Sequence, residues 1–279
     1  VEVSPPMFIS CACEGGATLF GLKYFGKDLY LTQSAQLHLE ALIYSSEKVY
    51  CVAPSFRAEK SRTIRHLTEY WHAEAEWAFS DMDDLMRLEE ELVSYVCQKV
   101  VENCKKEMEG LGADISKLLV VKTPFPRIAY TESVEKLNAK GFKIKWGEDL
   151  GFDEERALAE EFGKPFFVYA YPRQIKAFYC KTYRDNPDLA MSTDMLVPRI
   201  GEISTGGARE DDKGELLKRL REFGLKEEDY DWYIDLRRYG TVPHVGFGLG
   251  VERLLTWMLD LENIIDAIPF PRTIRRFYP

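Results

Sequence analysis

From Gly246 the chain reads GFGLGVERLLTWMLDL, a glycine-rich strand running directly into an apolar helical period. The glycines permit close approach of a ligand to the backbone. The segment is not a G-x-x-x-x-G-K-[ST] phosphate loop, and it lacks the spacing and following acidic residue of a dinucleotide-binding fingerprint. If this chain binds a nucleotide, it does so on a scaffold other than the parallel sheets that carry those two loops.

The remaining pattern is α+β with many short strands. ATLFGLKYFGKDLYL, broken by Gly21 and Gly26, reads as a hairpin, and residues 35–46 as a short helix. VYCVAPSFRAE reads as a buried strand, and HLTEYWHAEAEWAF as another. An Asp-rich cap at DMDD opens a long helix whose packing stripe is expected at Leu85, Leu88, Leu92, Tyr95 and Val96. Residues 110–165 are mixed and polar, consistent with a helical insertion; PFFVYAYP is a buried strand, TDMLVPRIGEIST a strand pair, and 213–237 helical.

With 279 residues, the chain can build one large domain with a sizeable core. No apolar run approaches the roughly 18 residues of a membrane span, and no secretory signal is visible. A net charge of −9 argues against a broad non-specific nucleic-acid surface but permits local contact. The six cysteines show no C-x-x-C pair and no metal spacing, as expected of reduced thiols in a cytoplasmic protein. Cys11 and Cys13, alternating on a strand, would point to opposite faces. The opening VEVSPP reads as the end of a strand already in progress.

Three segments carry chemistry. In SFRAEKSRTIRHLTEY, Arg57, Glu59, Arg62, Arg65, His66 and Glu69 surround a loop between strands. Arg57 and Glu59, two apart on a strand, would project together, and a guanidinium fork suits a phosphate. In GEISTGGARE, Glu202 can hold a metal beside an anion bound by an Arg; Mg²⁺ prefers oxygen ligands, usually one or two carboxylates completed by substrate phosphates, with Asp194 the second candidate. In GFGLGVERLL, Arg253 can stack on a base or pair with a phosphate. Each segment alone also fits a solvated charged loop or a flexible glycine turn.

Together, F-R-x-E, R-H-x-x-E-[FY] and G-x-G-x-E-R in that order resemble motifs 2 and 3 of the class II aminoacyl-tRNA synthetases, and VSPP resembles the end of motif 1. The resemblance covers essentially the whole chain. CEGGATLF, LTQSAQLHLEAL and YGTVPHVGFGLGVERL look like the asparaginyl branch of the asparaginyl/aspartyl group. It implies an antiparallel β-sheet flanked by helices, one catalytic domain over residues 1–279 without an anticodon-binding domain, a homodimer built through motif 1, and ATP with Mg²⁺ as cofactors.

By that resemblance Arg57 binds the α-phosphate, Tyr70 and Arg253 stack on the two faces of adenine, His66 reaches the outer phosphates, Glu59 helps to position the adenine or the amino acid, and Arg65 belongs to the ATP site. Glu202 and Thr205 hold Mg²⁺ with Asp194 near them, and the amino acid is bound by Glu14, Ser34, Gln36, His72, Glu74 and Arg209. The related aspartyl enzymes carry Lys where this chain has Leu39 and Asp where it has Glu74, so the pocket's far end looks fitted to asparagine rather than aspartate.

Two departures, in EISTGGAR and in the ISCAC segment before Glu14, fall at the amino-acid site. They favour an archaeal-type asparagine synthetase resembling a shortened asparaginyl-tRNA synthetase. Aspartate, turned end for end with its α-carboxylate on Arg209, would be activated as β-aspartyl-AMP and amidated by ammonia. That reading expects asparagine and AMP from aspartate, ammonia and ATP without tRNA. The second reading is an asparaginyl-tRNA synthetase catalytic domain that adenylates asparagine and transfers it to tRNA. A regulatory or binding module is the third, and retention of Arg57, Glu202 and Arg253 counts against it.

Overall fold

The computed structural model describes residues 1–13, 18–60 and 64–279; Glu14 and Arg62 therefore lie outside the described residues. Near the N-terminus, β1 (Phe8–Ile9), β2 (Gly21–Tyr24) and β3 (Lys27–Leu31) form a small antiparallel sheet in the order β1-β3-β2. The β2–β3 hairpin turns at Phe25 and Gly26, both at positive φ (47° and 82°). Helix α1 (Gln36–Ser46) leads into β4 (Lys48–Phe56) and β5 (Glu69–Ala78). The long α2 (Met82–Asn103) follows, then the short α3 (Lys105–Gly110) and α4 (Ser116–Leu119). Next come β6 (Arg127–Ala129), α5 (Tyr130–Ala139), α6 (Phe152–Phe162), β7 (Phe166–Tyr169), β8 (Ser192–Val197) and β9 (Gly201–Ala208). The chain finishes with α7 (Lys213–Glu222), α8 (Asp231–Arg238), β10 (His244–Gly250) and α9 (Val251–Met258).

The large sheet has seven strands in the order β4-β5-β10-β9-β8-β7-β6. Every neighbouring pair is antiparallel except β6 with β7. This α+β architecture, antiparallel-dominated with flanking helices, is the one the resemblance implied. The segment 110–165 supplies the sheet's far edge strand, β6. Ile128, Leu137, Leu158, Val168 and Leu196 pack into one core cluster there, under α5 and α6.

The centre of the sheet explains the glycines. On β5, His72, Glu74 and Glu76 are buried on one face, while Ala73, Ala75 and Trp77 face the other with the main hydrophobic core. The partner strand β10 places Gly250, Gly248 and Gly246 opposite those three polar residues. A Cβ at Gly246 would lie 2.0 Å from Glu76 Oε1, and one at Gly248 2.4 Å from His72 Nε2. Between the glycines, Val245, Phe247 and Leu249 turn to the other face and join the core against α2.

Helix α2 begins with a capping box. The Asp81 carboxylate accepts from the N–H groups of Asp83 and Asp84, and the Asp84 side chain accepts from Asp81 N. Such a cap contributes about 1 kcal/mol. The buried stripe of α2 differs from the expected one: Met82, Leu85, Met86, Glu89, Val93 and Cys97 face the sheet, whereas Leu88 and Tyr95 are exposed. The difference arises because Glu89 occupies the stripe as a buried acid, accepting from Ser204 Oγ, a position that an apolar-only pattern passes over.

Two other expectations are corrected. The β4 segment is the sheet's outermost strand, with alternate residues exposed, instead of a fully buried strand. The N-terminal residues run along it: Val3 N–H donates to Tyr50 O and Tyr50 N–H to Val1 O. Cys11 and Cys13 lie outside any regular strand and enter the same cluster, with Leu37, Phe178 and Tyr230. All six cysteines are free thiols, buried apart from the partly covered Cys104.

Candidate active site

A cavity of about 390 Å³ opens on the polar face of β5, β9 and β10. Each side chain is delivered by a specific element. Arg57 stands one residue past the end of β4, Tyr70, His72 and Glu74 come from β5, and Glu202 and Thr205 from β9 with Arg209 just beyond. Ser34 and Gln36 come from the start of α1, and Arg253 from the first turn of α9. Glu252 fixes that turn: both its carboxylate oxygens accept from Trp71 N–H, at 3.1 and 3.0 Å, locking α9 to β5 and aiming Arg253.

One end of the cavity alternates positive and negative groups. Arg253 Nη1 donates to Glu202 Oε1 at 2.9 Å and to the Glu202 carbonyl at 3.1 Å. Arg65 pairs with Glu155, which also accepts from Glu202 N–H at 2.9 Å. The Arg57 guanidinium sits 5.7 Å from the Tyr70 ring centroid, placing a cation beside an aromatic face. Burial opposes the charge on Glu202, but Arg253, Lys176, Arg65 and Arg57 hold its carboxyl down at about 2. Burial and the neighbouring negative Glu202 push Glu155 up to about 7 against the pull of Arg65. Burial, together with Arg253, Arg65 and Arg57, brings the His66 imidazole down to about 4, so it is neutral at pH 7 and offers hydrogen bonds rather than charge.

The other end holds the amino-acid candidates. Glu74 accepts from Ser34 Oγ and from Ala35 N–H at 2.8 Å. Burial pushes its carboxyl up to about 7 in spite of those bonds. Arg209, which lines the cavity, makes a forked pairing with Glu76 behind it, donating through Nε at 2.9 Å and through Nη2. Its guanidinium lies 5.4 Å from the Tyr179 ring centroid.

Twelve of the expected residues therefore line one cavity: Ser34, Gln36, Arg57, Arg65, His66, Tyr70, His72, Glu74, Glu202, Thr205, Arg209 and Arg253. Two others are placed otherwise, and a third is not described. Glu14 lies outside the described residues. Glu59 does not share a strand face with Arg57, because β4 ends at Phe56; its carboxylate lies 3.8 Å from His66 Nε2. Asp194 is buried on β8 and pairs with Lys176 Nζ at 2.7 Å. Leu39 packs with Ala35, Ile43 and Val49 in the core under α1 and does not line the cavity.

Sequence reasoning missed Lys176, Glu155 and Glu76. Burial opposes the charge on Lys176, yet Asp194, with Glu202 and Asp149, holds its ammonium above the ordinary lysine value. It sits just after a short turn between β7 and β8, where no local pattern marks it. Glu76 had a usable signal, the E-A-E alternation that puts Glu74 and Glu76 on one strand face.

The chain matches the family described as tRNA synthetases class II (D, K and N) over residues 1–274, and it belongs to that family. It is 56% identical, over its whole length, to asparagine–tRNA ligases of Pyrococcus horikoshii and Thermococcus kodakarensis, covering 64% and 65% of those proteins. The solved asparaginyl-tRNA synthetase of Pyrococcus horikoshii complexed with asparaginyl-adenylate superposes with a TM-score of 0.98 at 56% identity, covering all of this chain and 64% of that one. The chain thus spans just under two thirds of the length of the relatives it matches.

These findings overturn the reading in which aspartate is turned round and amidated by ammonia. The similar proteins are asparagine–tRNA ligases, one of them solved with asparaginyl-adenylate. The physical reason lies at Arg209. Glu76 already engages its guanidinium, and the Glu74 carboxyl stands near, so an inverted aspartate would set its α-carboxylate against acids instead of a free cation. The departures in EISTGGAR and ISCAC do not outweigh that.

In the free protein, NMR titration of His66 is expected to show a midpoint near 4; a midpoint at the ordinary 6.5 would contradict the electrostatic account of this end of the cavity.

Proposed function

We propose that these 279 residues form the catalytic domain of an asparagine–tRNA ligase, which joins the α-carboxylate of asparagine to the AMP part of ATP with release of pyrophosphate and passes the activated amino acid to tRNA. The observation that carries this reading is a single cavity with ends of different character. One is rich in cations (Arg57, Arg65, Arg253) around an ionised Glu202. The other holds an Arg209–Glu76 pair beside Glu74. The first suits a triphosphate. The second suits a neutral amide, which can both donate to acids and accept from a guanidinium, better than it suits a carboxylate.

In this reading the asparagine carboxylate attacks the α-phosphorus and pyrophosphate leaves, forming asparaginyl-adenylate. The nucleophile is already ionised at pH 7, so no general base is needed and catalysis is positioning plus charge stabilisation. Arg57 neutralises the charge on the α-phosphate, Tyr70 and Arg253 hold the adenine, and neutral His66 donates to the outer phosphates. Glu59 helps to place His66, its carboxylate 3.8 Å away. Ser34, Gln36, His72 and Glu74, with Glu14, orient the amino acid.

The oxygen donors present fit magnesium. Among the described residues no three His, Cys, Asp or Glu groups converge as a metal cage; an ion held by one or two carboxylates and by phosphates needs none. Glu202 and Thr205 would hold it. Asp194 would stand behind them, with Oδ2 taken by Lys176 and the buried Oδ1 lacking a hydrogen-bond partner among the described residues. The ion, when bound, neutralises phosphate charge.

Pyrophosphate exchange into ATP is expected with asparagine and not with aspartate, and asparagine should transfer to tRNA. Arg57→Ala should lower the exchange rate by about a hundred-fold or more. Exchange with aspartate alone would overturn the assignment.

We further propose a homodimer through the outer face of β4 and α2. An apolar groove there is lined by Tyr50, Val52, Ala75, Leu88 and Leu92, and Tyr50, Val52 and Leu88 are 45%, 48% and 40% exposed. Exposed apolar surface of this kind marks an interface, and the family resemblance of VSPP points to the same face. Sedimentation should give the mass of two chains, falling to one in Val52→Arg; a monomeric wild type would contradict the proposal.

A further inference from the structure

Behind the amino-acid end of the cavity lies a carboxylate that no part of the proposed chemistry uses. Glu40 is fully buried where α1, α8 and β10 meet. Four side chains converge on it. Gln36 Nε2 donates at 2.9 Å, Tyr233 hydroxyl at 2.8 Å, Arg237 Nη2 at 2.6 Å, and His244 Nε2 lies 2.9 Å away. Of the four, only Gln36 also lines the cavity.

A side-chain amide has a donor end and an acceptor end, and which one faces a substrate is a matter of rotation by half a turn. An ionised carboxylate accepts hydrogen bonds and cannot donate them. Facing Glu40, the Gln36 amide has one admissible orientation, nitrogen towards the carboxylate and oxygen away from it. That oxygen meets Cys13 Sγ at 3.9 Å, a weak donor, and keeps capacity for a stronger one. Burial opposes the charge on Glu40, but Arg237 and His244 hold its carboxyl well below the usual range, so it remains an acceptor throughout the working pH range. A protonated Glu40 could donate to the Gln36 oxygen and permit the reversed amide.

We propose that Glu40 is a positioning residue that locks the Gln36 carboxamide with its oxygen available to the amino-acid end of the cavity, and so selects a substrate that presents an ammonium there. Glu40 does not touch the substrate; it acts through Gln36. Arg237, His244 and Tyr233 form the outer shell that keeps it in place, which gives α8 and the start of β10 a share in amino-acid binding although neither supplies a contact from this cluster.

The inference rests on the asparagine-activating reading, and asparagine-dependent pyrophosphate exchange by the full-length protein separates the two. If the wild type shows no such exchange, that reading falls first. With exchange established, two variants are measured. Glu40→Gln removes the charge that dictates the amide orientation. Glu40→Asp keeps the charge facing Arg237 and His244 but draws the oxygens back from Gln36 by one methylene, so it serves even where the first variant folds poorly. Each is expected to raise the asparagine KM about ten-fold or more, the value of a lost hydrogen bond to a charged group. The ATP KM should stay within about two-fold, since Glu40 makes no contact at the phosphate end.

The deciding measurement repeats each substitution in a Gln36→Ala background. Acting through Gln36, Glu40 should have almost no further effect there. An unchanged asparagine KM in both single variants, or a rise that persists in full without the Gln36 amide, would overturn the proposal in favour of a purely structural acid.

Discussion

The structure depends on the pairing of β10 with β5. Three polar side chains, His72, Glu74 and Glu76, stand buried on one face of β5, and the strand beside them offers glycine at each facing position. A side chain at Gly246 or Gly248 would occupy the space of Glu76 or His72, as the contacts of 2.0 and 2.4 Å show. Because strand side chains alternate, the same strand still contributes Val245, Phe247 and Leu249 to the core against α2. One strand thereby floors a polar cavity and anchors the hydrophobic layer beneath it.

Burying so many acids requires partners. Glu202 has Arg253, Glu155 has Arg65, Asp194 has Lys176, Glu76 has Arg209 and Glu40 has Arg237. Removing one member of such a pair is expected to cost several kcal/mol, because it strands the other charge. The pairs differ in consequence. Around Glu202 the cations Arg253, Lys176, Arg65 and Arg57 keep its carboxyl ionised. Around Glu74 and Glu76 burial raises both carboxyls to about 7, and Arg209 is already engaged by Glu76. In the proposed reading, that arrangement suits a neutral amide, which can donate to the acids and accept from Arg209.

Most strands and helices were legible along the chain because apolar period and turn residues agree locally, whereas their order in the sheet was not. The hairpin at Gly26, the alternation along β5 and the glycine-rich entry to α9 all carry their own signals. Much of the cavity lining was legible through the resemblance of Arg57, His66, Tyr70 and the final E-R pair to known motifs, which the bare residue types would not have singled out. The acids buried by long-range pairing escaped, since Glu89, Glu155 and Glu40 look like surface residues on their helices until a partner 115, 90 or 197 residues away is placed beside them. Lys176 escaped for the same reason. The inverted-aspartate reading arose because Arg209 was read alone, without Glu76, and an arginine without its partner looks like a carboxylate receptor.

Calorimetric binding of two non-reactive adenylate mimics, with asparagine or aspartate joined through its α-carboxyl to adenosine by a sulfamate, tests the central claim most directly. The account predicts that the asparagine compound binds more tightly by at least about ten-fold, the penalty for bringing a carboxylate against buried acids. Equal affinity, or preference for the aspartate compound, would contradict it.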